Sequence, residues 1–259
     1  MLLAIDVGNT DTVLGLFSGD QLVDEWRMPS KLSLSARDLR VYVRTFAAET
    51  GAAPDDIEGV VISSVNPRLT KGFGRMAKNF LGTTPLIITG DMDAGMTVHY
   101  DDPSRLGADR LCNAVAAFSK YGGPAIVIDF GTATTFDVIS AKGEYLGGVI
   151  APGVETAAAG LSGRTAVLPR VDLLFPERVI GTNTVAGMQA GIMYGALEAT
   201  EGIVRRIKGV IGKKATVIAT GGYARIIAEQ SGSIVQVEPA LVLEGARLIY
   251  ERLRRERRA

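Results

Sequence analysis

The feature that most constrains the fold of this chain is a turn that occurs twice. An apolar run ends in an aspartate, one residue and a glycine follow, and a short threonine-containing turn leads into a second apolar run. The two copies span residues 5–12 and 128–135. The flanking runs predict a hairpin in each copy, and a third strand follows, over Gln21–Met28 and Glu144–Ile150. A repeated three-stranded unit indicates an internal duplication, and two unrelated hairpins are the plainer alternative.

The repeated turn has the chemistry of a phosphate-binding loop. Glycine lets the backbone approach a ligand closely, and successive backbone N–H groups in a turn form an anion-binding concavity. Threonine and asparagine side chains add hydrogen-bond donors. The aspartate at the strand end does not bind phosphate itself, but it can hold a cation that does. Two such turns predict two phosphate loops that face one nucleotide.

Composition limits the class of protein and its partners. The chain has 259 residues, 47% of them hydrophobic and 31 of them glycine, which fits a turn-rich α/β protein. Lys+Arg and Asp+Glu both number 28, so no global field attracts nucleic acid or an anionic membrane, and we expect neither partner. No apolar run approaches the roughly 20 residues of a membrane helix, and the first strand follows Met1 directly, without a signal peptide. The single Cys112 predicts a reducing, cytoplasmic location.

The order of the predicted elements gives two halves. Apolar spacing predicts β-β-β-α-β-α-β in the first half, with one helix over Ser35–Thr50 and a second helix that begins at Pro67. A glycine-glycine-proline linker at residues 122–124 predicts the boundary, so that the halves are residues 1–121 and 122–259. The second half contains a predicted helix from Val185 to about Ile203 and a last helix over residues 240–257.

A second candidate site lies at the start of the helix that follows Gly107. Gly107 allows a close backbone approach, and Asp109 and Arg110 offer a carboxylate and a guanidinium together. This pair suits a small polar substrate that carries a hydroxyl and an acid group. The alternative is that Asp109 only stabilises the positive end of the helix dipole, and the residues alone leave both interpretations open.

Three further features have open interpretations. The hydroxyl of Thr184 can cap the following helix, contact a substrate, or do both. The Gly221-Gly222 turn suits a nucleotide base or ribose, but it also fits a simple tight turn. The arginine-rich carboxyl end, with five arginines in the last eight residues, fits a nucleic-acid tail less well than a solvated helix end.

The motifs, taken in their order along the chain, resemble those of type III pantothenate kinase, a member of the acetate and sugar kinase, Hsc70 and actin superfamily. The resemblance runs from residue 1 to about residue 255. It is carried by five stretches: Asp6–Thr10, Gly107–Arg110, Asp129–Thr135, Gly147–Gly153 and Asn183–Val185. It implies an α/β fold of two duplicated ribonuclease-H-like, actin-like ATPase halves with an active-site cleft between the domains.

The resemblance also implies an activity and its participants. The reaction is ATP-dependent phosphorylation of pantothenate to 4′-phosphopantothenate, the first step of coenzyme A biosynthesis. The enzyme would be a cytoplasmic homodimer that needs Mg²⁺ and a monovalent cation, K⁺ or NH₄⁺.

Carried over by motif, the resemblance assigns roles to individual residues. Asp109 would accept the proton of the substrate hydroxyl, Asp129 would hold the monovalent cation, and Asp6 would serve Mg²⁺ through water. The residues expected to contact ATP are Asp6, Val7, Gly8, Asn9, Thr10, Asp11, Thr12, Val13 and Thr132. The residues expected to contact pantothenate are Tyr100, Gly107, Ala108, Asp109, Arg110 and Thr184.

Three rival functions compete with this interpretation. The first is a non-catalytic nucleotide-binding regulator, such as a transcription accessory factor, on the same fold. The retained Asp6, Asp109, Arg110 and Asp129 argue against it. The second is an ATPase of the actin or chaperone type, for which the chain is short. The third is a kinase that acts on another hydroxy acid, and competition between substrates would separate it from the first choice.

Overall fold

The computed structural model describes residues 1–30, 34–164 and 167–256. These described residues form two compact units, one made of those within 1–116 together with 240–256 and the other of those within 117–239. The strands are β1 Leu2–Val7, β2 Asp11–Ser18, β3 Gln21–Pro29, β4 Gly59–Ser64, β5 Leu86–Ile87, β6 Ala125–Phe130, β7 Ala133–Ile139, β8 Tyr145–Pro152, β9 Thr216–Thr220 and β10 Gln236–Val237. The helices are α1 Ala36–Glu49, α2 Pro67–Phe80, α3 Ala108–Tyr121, α4 Val154–Arg164, α5 Thr184–Ile211, α6 Ala224–Ala228 and α7 Leu241–Glu256.

The first unit is built on a five-stranded mixed sheet with the order β3-β2-β1-β4-β5. Strands β1, β2 and β3 form an antiparallel meander, and β4 pairs parallel to β1. Helices α1 and α2 cover one face of this sheet, where their apolar sides join β1, β2 and β4 in one buried cluster. Helix α7 lies on the other face, because Leu243 contacts Gly15, whose neighbours Leu14 and Leu16 belong to the cluster on the opposite face.

Helix α1 shows why the sequence prediction works where signals are local. Ser35 and Asp38 form a capping box, in which each side chain accepts a hydrogen bond from the backbone of the other. The apolar residues at helical spacing are buried, and Gly51 follows the last turn with a φ of +75°. The predicted order β-β-β-α-β-α-β and the start of α2 at Pro67 are confirmed.

The second unit repeats the topology of the first. Its sheet has the order β8-β7-β6-β9-β10, with an antiparallel meander of three strands followed by strands parallel to β6. Strands β1 and β6 have the same pattern of exposure along their length, and β7 matches the first seven residues of β2. The predicted α/β fold with two duplicated sheets is therefore confirmed.

Three predictions about elements need correction or comment. Helix α5 runs to Ile211 rather than Ile203, because Val204 continues its buried side. Asn183 rather than Thr184 caps this helix, and its side chain accepts a hydrogen bond from the Ala186 N–H at 2.9 Å. Helix α7 packs with the first unit, whereas the predicted halves at residues 1–121 and 122–259 grouped it with the second. Those halves stay a prediction, and the final arginines lie outside the described residues.

The described part of the chain contains no helix that is long and apolar enough to cross a membrane.

Candidate active site

The turn between β1 and β2 is closed by a hydrogen bond within its own backbone. The Gly8 N–H donates to the Asp11 carbonyl at 2.9 Å, and a β-carbon on Gly8 would approach the same oxygen to 2.9 Å. Thr12 is buried, and its hydroxyl lies 2.8 Å from that of Ser30. Asn9 and Thr10 are exposed at the tip. Residues 6–13, which are predicted to contact ATP, therefore form one hairpin turn that offers backbone N–H and hydroxyl donors.

Asp6 is oriented by a residue that sequence reasoning missed. Ser63 is the register partner of Asp6 on the parallel strand β4, and its fully buried hydroxyl donates to Asp6 Oδ1 at 2.9 Å. Strand register places this pair side by side although 57 residues separate them in the chain. The only available signal is a serine at the end of a short apolar run, residues 60–62.

Cys112 connects Asp6 with Asp109 within the first unit. Burial raises the pKa of the Cys112 thiol well above its usual value, and the nearby carboxylates of Asp6 and Asp109 raise it further. A hydrogen bond with Ser63 lowers the same pKa. The predicted magnesium carboxylate and the predicted base therefore approach one buried side chain, so the structure brings these two site residues together.

Asp109 and Arg110 lie in the first turn of α3. Burial raises the pKa of Asp109 above its usual value, against the lowering effect of the Arg110 N–H, which donates to Asp109 Oδ1 at 2.8 Å. A β-carbon on Gly107 would lie 2.4 Å from the same oxygen, so this position requires glycine. Arg110 is only 7% exposed. Burial therefore makes Asp109 a stronger base than an ordinary aspartate.

Tyr100 belongs to the segment that leads into α3. Its ring is 36% exposed, so it is accessible to a ligand. The segment is fixed at Gly90, where a β-carbon would approach the carbonyl oxygens of Pro103 and Leu106 to 2.4 Å. The Asp102 side chain accepts hydrogen bonds from Ser104, which closes a short turn ahead of Gly107.

The second turn, between β6 and β7, is one residue shorter than the first. The Gly131 N–H donates to the Ala133 carbonyl at 3.2 Å, which reproduces the bond of Gly8. Asp129 is the register partner of Thr135 on β7, and directly opposed residues of an antiparallel pair share one face of a sheet. The buried Thr135 hydroxyl has no hydrogen-bond partner among the described residues. A carboxylate and an unpaired hydroxyl therefore lie side by side.

Gly221 is a close neighbour of the Asp129 carboxylate. It follows β9 with a φ of +91°, and a β-carbon there would lie 2.5 Å from Asp129 Oδ1. A positive φ is available to glycine at little cost and strains other residues. At this turn Gly221 lets the backbone pass close to Asp129. The sequence alone did not indicate this packing role for the Gly221-Gly222 turn.

Thr132 forms the tip of the second turn and contacts the start of α4. Its carbonyl accepts hydrogen bonds from the Thr156 hydroxyl at 2.6 Å and from the Gly153 N–H at 3.2 Å. Further along, the Tyr223 hydroxyl donates to Glu155 at 2.8 Å, and burial together with this bond raises the pKa of Tyr223 to about 12. Sequence reasoning missed the pair of Glu155 and Tyr223, for which no local signal exists.

Comparison with known proteins identifies the family. The model of type III pantothenate kinase matches residues 2–206. The type III pantothenate kinase of Moorella thermoacetica is 50% identical over 252 residues, which cover 97% of this chain and 99% of that one. The enzyme of the same description from Halalkalibacterium halodurans is 42% identical over 97% of this chain and 99% of its own. The chain belongs to the type III pantothenate kinase family.

Solved structures agree with the fold of this family. A protein described as a Baf family transcriptional activator from Campylobacter jejuni is 18% identical, with a TM-score of 0.61 over 98% of this chain and 99% of that one. Component A of (R)-2-hydroxyglutaryl-CoA dehydratase from Acidaminococcus fermentans is 14% identical, with a TM-score of 0.58 over 97% and 98% of the two chains. At these identities the likeness shows the two-lobed ribonuclease-H-like fold alone.

Thr184 completes the set of predicted site residues. It is the first residue of α5 and is exposed. Because Asn183 caps this helix, the Thr184 hydroxyl is not needed as the cap, which removes one of the alternatives that the sequence left open. Its contact with substrate stays a prediction, as do the assigned roles of the other site residues.

Proposed function

We propose that this protein transfers the γ-phosphoryl group of ATP to the 4′-hydroxyl of pantothenate, the first step towards coenzyme A. Family membership supports the activity, and one structural observation supports its chemistry: a half-buried carboxylate of raised pKa, Asp109, stands next to Arg110 at the start of α3. Phosphoryl transfer depends mainly on positioning and charge neutralisation, so a preorganised pair of this kind is what the reaction needs.

Each residue of this pair has a chemical task in the proposal. Asp109 accepts a hydrogen bond from the substrate hydroxyl and takes its proton late, as the new P–O bond forms. Its raised pKa brings it nearer to neutrality, where a general base is most effective. The Arg110 guanidinium binds the pantothenate carboxylate with two parallel hydrogen bonds. Tyr100, Gly107, Ala108 and Thr184 complete the acceptor site, and the turn over residues 6–13 and Thr132 hold the ATP phosphates.

The donor set of Asp6 fits magnesium held through water. No cluster of three or more metal-ligating side chains occurs in the described parts of the chain. Mg²⁺ commonly keeps several waters and binds through one or two carboxylates plus substrate phosphates. When bound, it neutralises charge on the transferred phosphate. Asp6, fixed by Ser63, would supply the carboxylate.

The surroundings of Asp129 fit a monovalent cation. The Thr135 hydroxyl, buried and without a hydrogen-bond partner in the described residues, is an oxygen ligand with no other task in this chain. It lies on the same sheet face as Asp129, and the backbone at Gly221 approaches the carboxylate so closely that a β-carbon there would lie 2.5 Å from Asp129 Oδ1. A bound K⁺ or NH₄⁺ would add positive charge close to the phosphates.

The exposed side of α5 supports the predicted homodimer. Gly187, Gly191 and Gly195 form an exposed stripe at a spacing of four residues, and a β-carbon on any of them would meet nothing within 4 Å in this chain. Helical glycine costs about 1 kcal/mol relative to alanine, so close approach of a second copy would explain the stripe. Ile180, 83% exposed, adds apolar surface next to it.

Light scattering after size exclusion tests the dimer with two matched variants. Gly191→Glu is expected to give a monomer, whereas Gly209→Glu is expected to stay dimeric. Both glycines are exposed on α5 with open space around an added β-carbon, so they differ only in their position along the helix. A wild-type monomer, or dissociation of both variants, would contradict the proposal.

The free, buried Cys112 supports a reducing, cytoplasmic location for the enzyme.

The decisive experiment measures ADP release with and without pantothenate, in K⁺ and then in Na⁺, together with mass spectrometry of the product. Release that needs pantothenate and K⁺ and yields phosphopantothenate supports the proposal. Nucleotide binding without pantothenate-dependent turnover would overturn it and favour the regulator. Turnover without any acceptor would favour the ATPase.

A further inference from the structure

The outer surface of the helix pair α1–α2 carries a strong local positive charge. The two helices contain seven cationic side chains and two acidic ones, a net charge of +5, although the whole chain has a net charge of zero. One acid, Asp38, is occupied by the capping box of α1. The cations are Arg37, Arg40, Arg44, Arg68, Lys71, Arg75 and Lys78, and all seven are exposed. The balanced composition predicted no global field, and it says nothing of how charge is distributed locally.

The cations form two straight rows. On α1 they occur at spacings of three and four residues, and on α2 at spacings of three, four and three, so each row stays on one side of its helix. With a rise of 1.5 Å per residue, the row from Arg68 to Lys78 extends over about 15 Å. The opposite sides of both helices are buried against the sheet, so both rows face solvent.

None of these seven cations forms an ion pair within residues 1–30, 34–164 and 167–256. Helix α7, on the other face of the same sheet, shows the contrast. Arg247 pairs with Glu251 at 2.8 Å, and Arg252 pairs with Asp93 at 3.3 Å and with Glu256 at 3.0 Å. The unit thus pairs the arginines of α7 with carboxylates, whereas α1 and α2 offer their own seven cations only two acids, Asp38 next to Arg37 and Glu49.

The shape of the surface also favours an extended anion. A groove of about 340 Å³ runs between α1 and α2, lined by two arginines, Arg40 and Arg44, by one acid, Asp55, and by Phe80 among others. The Arg40 guanidinium lies 4.5 Å from the centre of the Phe80 ring, which holds this arginine over the groove. A second groove, of about 450 Å³, lies beside Lys71, Arg75 and Lys78.

We infer that the α1–α2 surface binds the phosphate backbone of a nucleic acid. A nucleic acid presents phosphates in regular rows, as the helices present cations. Five of the seven cations are arginine, whose planar fork binds phosphate oxygens in pairs. A membrane fits less well, because the Arg40 guanidinium lies over the Phe80 ring and leaves it only 38% exposed for insertion into a bilayer. The carboxylates of the catalytic proposal belong to other elements, so binding at this surface is independent of that proposal.

The test measures binding of a fluorescein-labelled single-stranded 20-nucleotide DNA, and of its duplex, by anisotropy over a range of salt concentrations. The test variant reverses Lys71, Arg75 and Lys78 to Glu. The control variant reverses Arg206, Lys213 and Lys214 to Glu, which changes the net charge equally at exposed positions of the second unit. We expect the test variant to bind at least tenfold more weakly, with a salt slope flatter by roughly two to three units, and the control to bind as wild type.

The remaining outcomes overturn the inference. Absence of DNA binding by wild-type protein at about 100 mM salt does so, as does equal loss in both variants, which would show a general effect of charge. Binding to vesicles with one-quarter anionic lipid but not to DNA would identify a membrane partner instead. Displacement of DNA by polyglutamate at equal charge would identify any polyanion as the ligand. Pantothenate-dependent ADP release, measured on the same preparations, is expected to be unchanged in both variants and shows that they are folded.

Discussion

The two sheets of this protein have the same strand order and nearly the same pattern of burial, yet their aspartates have different neighbours. In the first unit Asp6 faces Val13 across the hairpin and accepts a hydrogen bond from Ser63. In the second unit Asp129 faces the unpaired hydroxyl of Thr135 and lies against Gly221. A duplicated scaffold has thus produced one oriented carboxylate, suited to a hydrated ion, and one oxygen-rich position, suited to a directly bound ion.

The largest effect is expected at Asp109, which lies in the first turn of α3 and outside both hairpins. Asp109→Asn removes the proton acceptor and should lower kcat by about 10²–10⁴-fold, the usual contribution of general base catalysis. Because burial disfavours the charged form, the thermal midpoint should equal or exceed that of wild type. Steady-state kinetics and calorimetry check both, with the exposed Asp24→Asn as control. Retained activity would remove Asp109 from its role.

The pH profile of the wild-type enzyme tests the same residue. Asp109 must be ionised to accept a proton, and its pKa is raised, so kcat/KM should rise with pH through a value above the usual 3.9 or so of aspartate. If kcat/KM instead rises through a pKa at or below that usual value, Asp109 is not the titrating base.

Gly221→Ala should have the next largest effect and would act on the second unit alone. Its φ of +91° strains any side chain, at a cost of about 1–3 kcal/mol, and the added β-carbon would displace Asp129. We expect a lower thermal midpoint and loss of activation by K⁺. Gly222→Ala is the matched control, because a β-carbon there meets nothing within 4 Å. Equal effects of the two variants would contradict the proposed cation position.

Ser63→Ala tests the neighbour that distinguishes the first unit. It removes the hydrogen bond that orients Asp6, so the Mg²⁺ concentration for half-maximal activity should rise by about tenfold, corresponding to about 1.4 kcal/mol. The dependence on K⁺ should stay unchanged. Direct Mn²⁺ binding, followed by electron paramagnetic resonance, gives a readout besides activity. Ser64→Ala, at the next residue of β4, is the control. A changed K⁺ response in Ser63→Ala, in place of a changed Mg²⁺ response, would contradict the distinction between the two units.

Thr135 faces Asp129 as Val13 faces Asp6, so Thr135→Val makes the second hairpin resemble the first. The effect of this substitution on stability should be the smallest of the series. Replacing an unpaired buried hydroxyl by a group of the same shape is close to neutral or stabilising, so we expect a change within roughly 1 kcal/mol. The K⁺ concentration for half-maximal activity should nevertheless rise several-fold, because an oxygen ligand is lost. The reciprocal Val13→Thr should leave the K⁺ response unchanged. An unaltered K⁺ response in Thr135→Val would remove this hydroxyl from the cation site.

Much of the fold could be predicted because its signals are local. The capping box of Ser35, Pro67 at the start of α2 and the repeated glycine turns each depend on residues a few positions apart. The stretches that carry the site could be located for the same reason. The cap of α5 was misassigned to Thr184 because Asn183 is an equally good candidate, and only the backbone conformation selects between neighbours.

Sequence by itself determined that there are two β-meanders of the same kind, each with an Asp-x-Gly turn suited to phosphate, and the resemblance of its motifs implied the kinase family and its α/β fold. Tertiary structure decided what surrounds each turn, Ser63 beside Asp6 and Gly221 beside Asp129, and it raised the pKa of Asp109. It also placed seven cations, none of them in an ion pair among the described residues, on one helix pair of a chain with no net charge. The physical reason is the range of the forces. Turn and strand preferences act between neighbours in the chain, whereas strand register, burial and the distribution of charge arise from contacts between residues far apart in sequence.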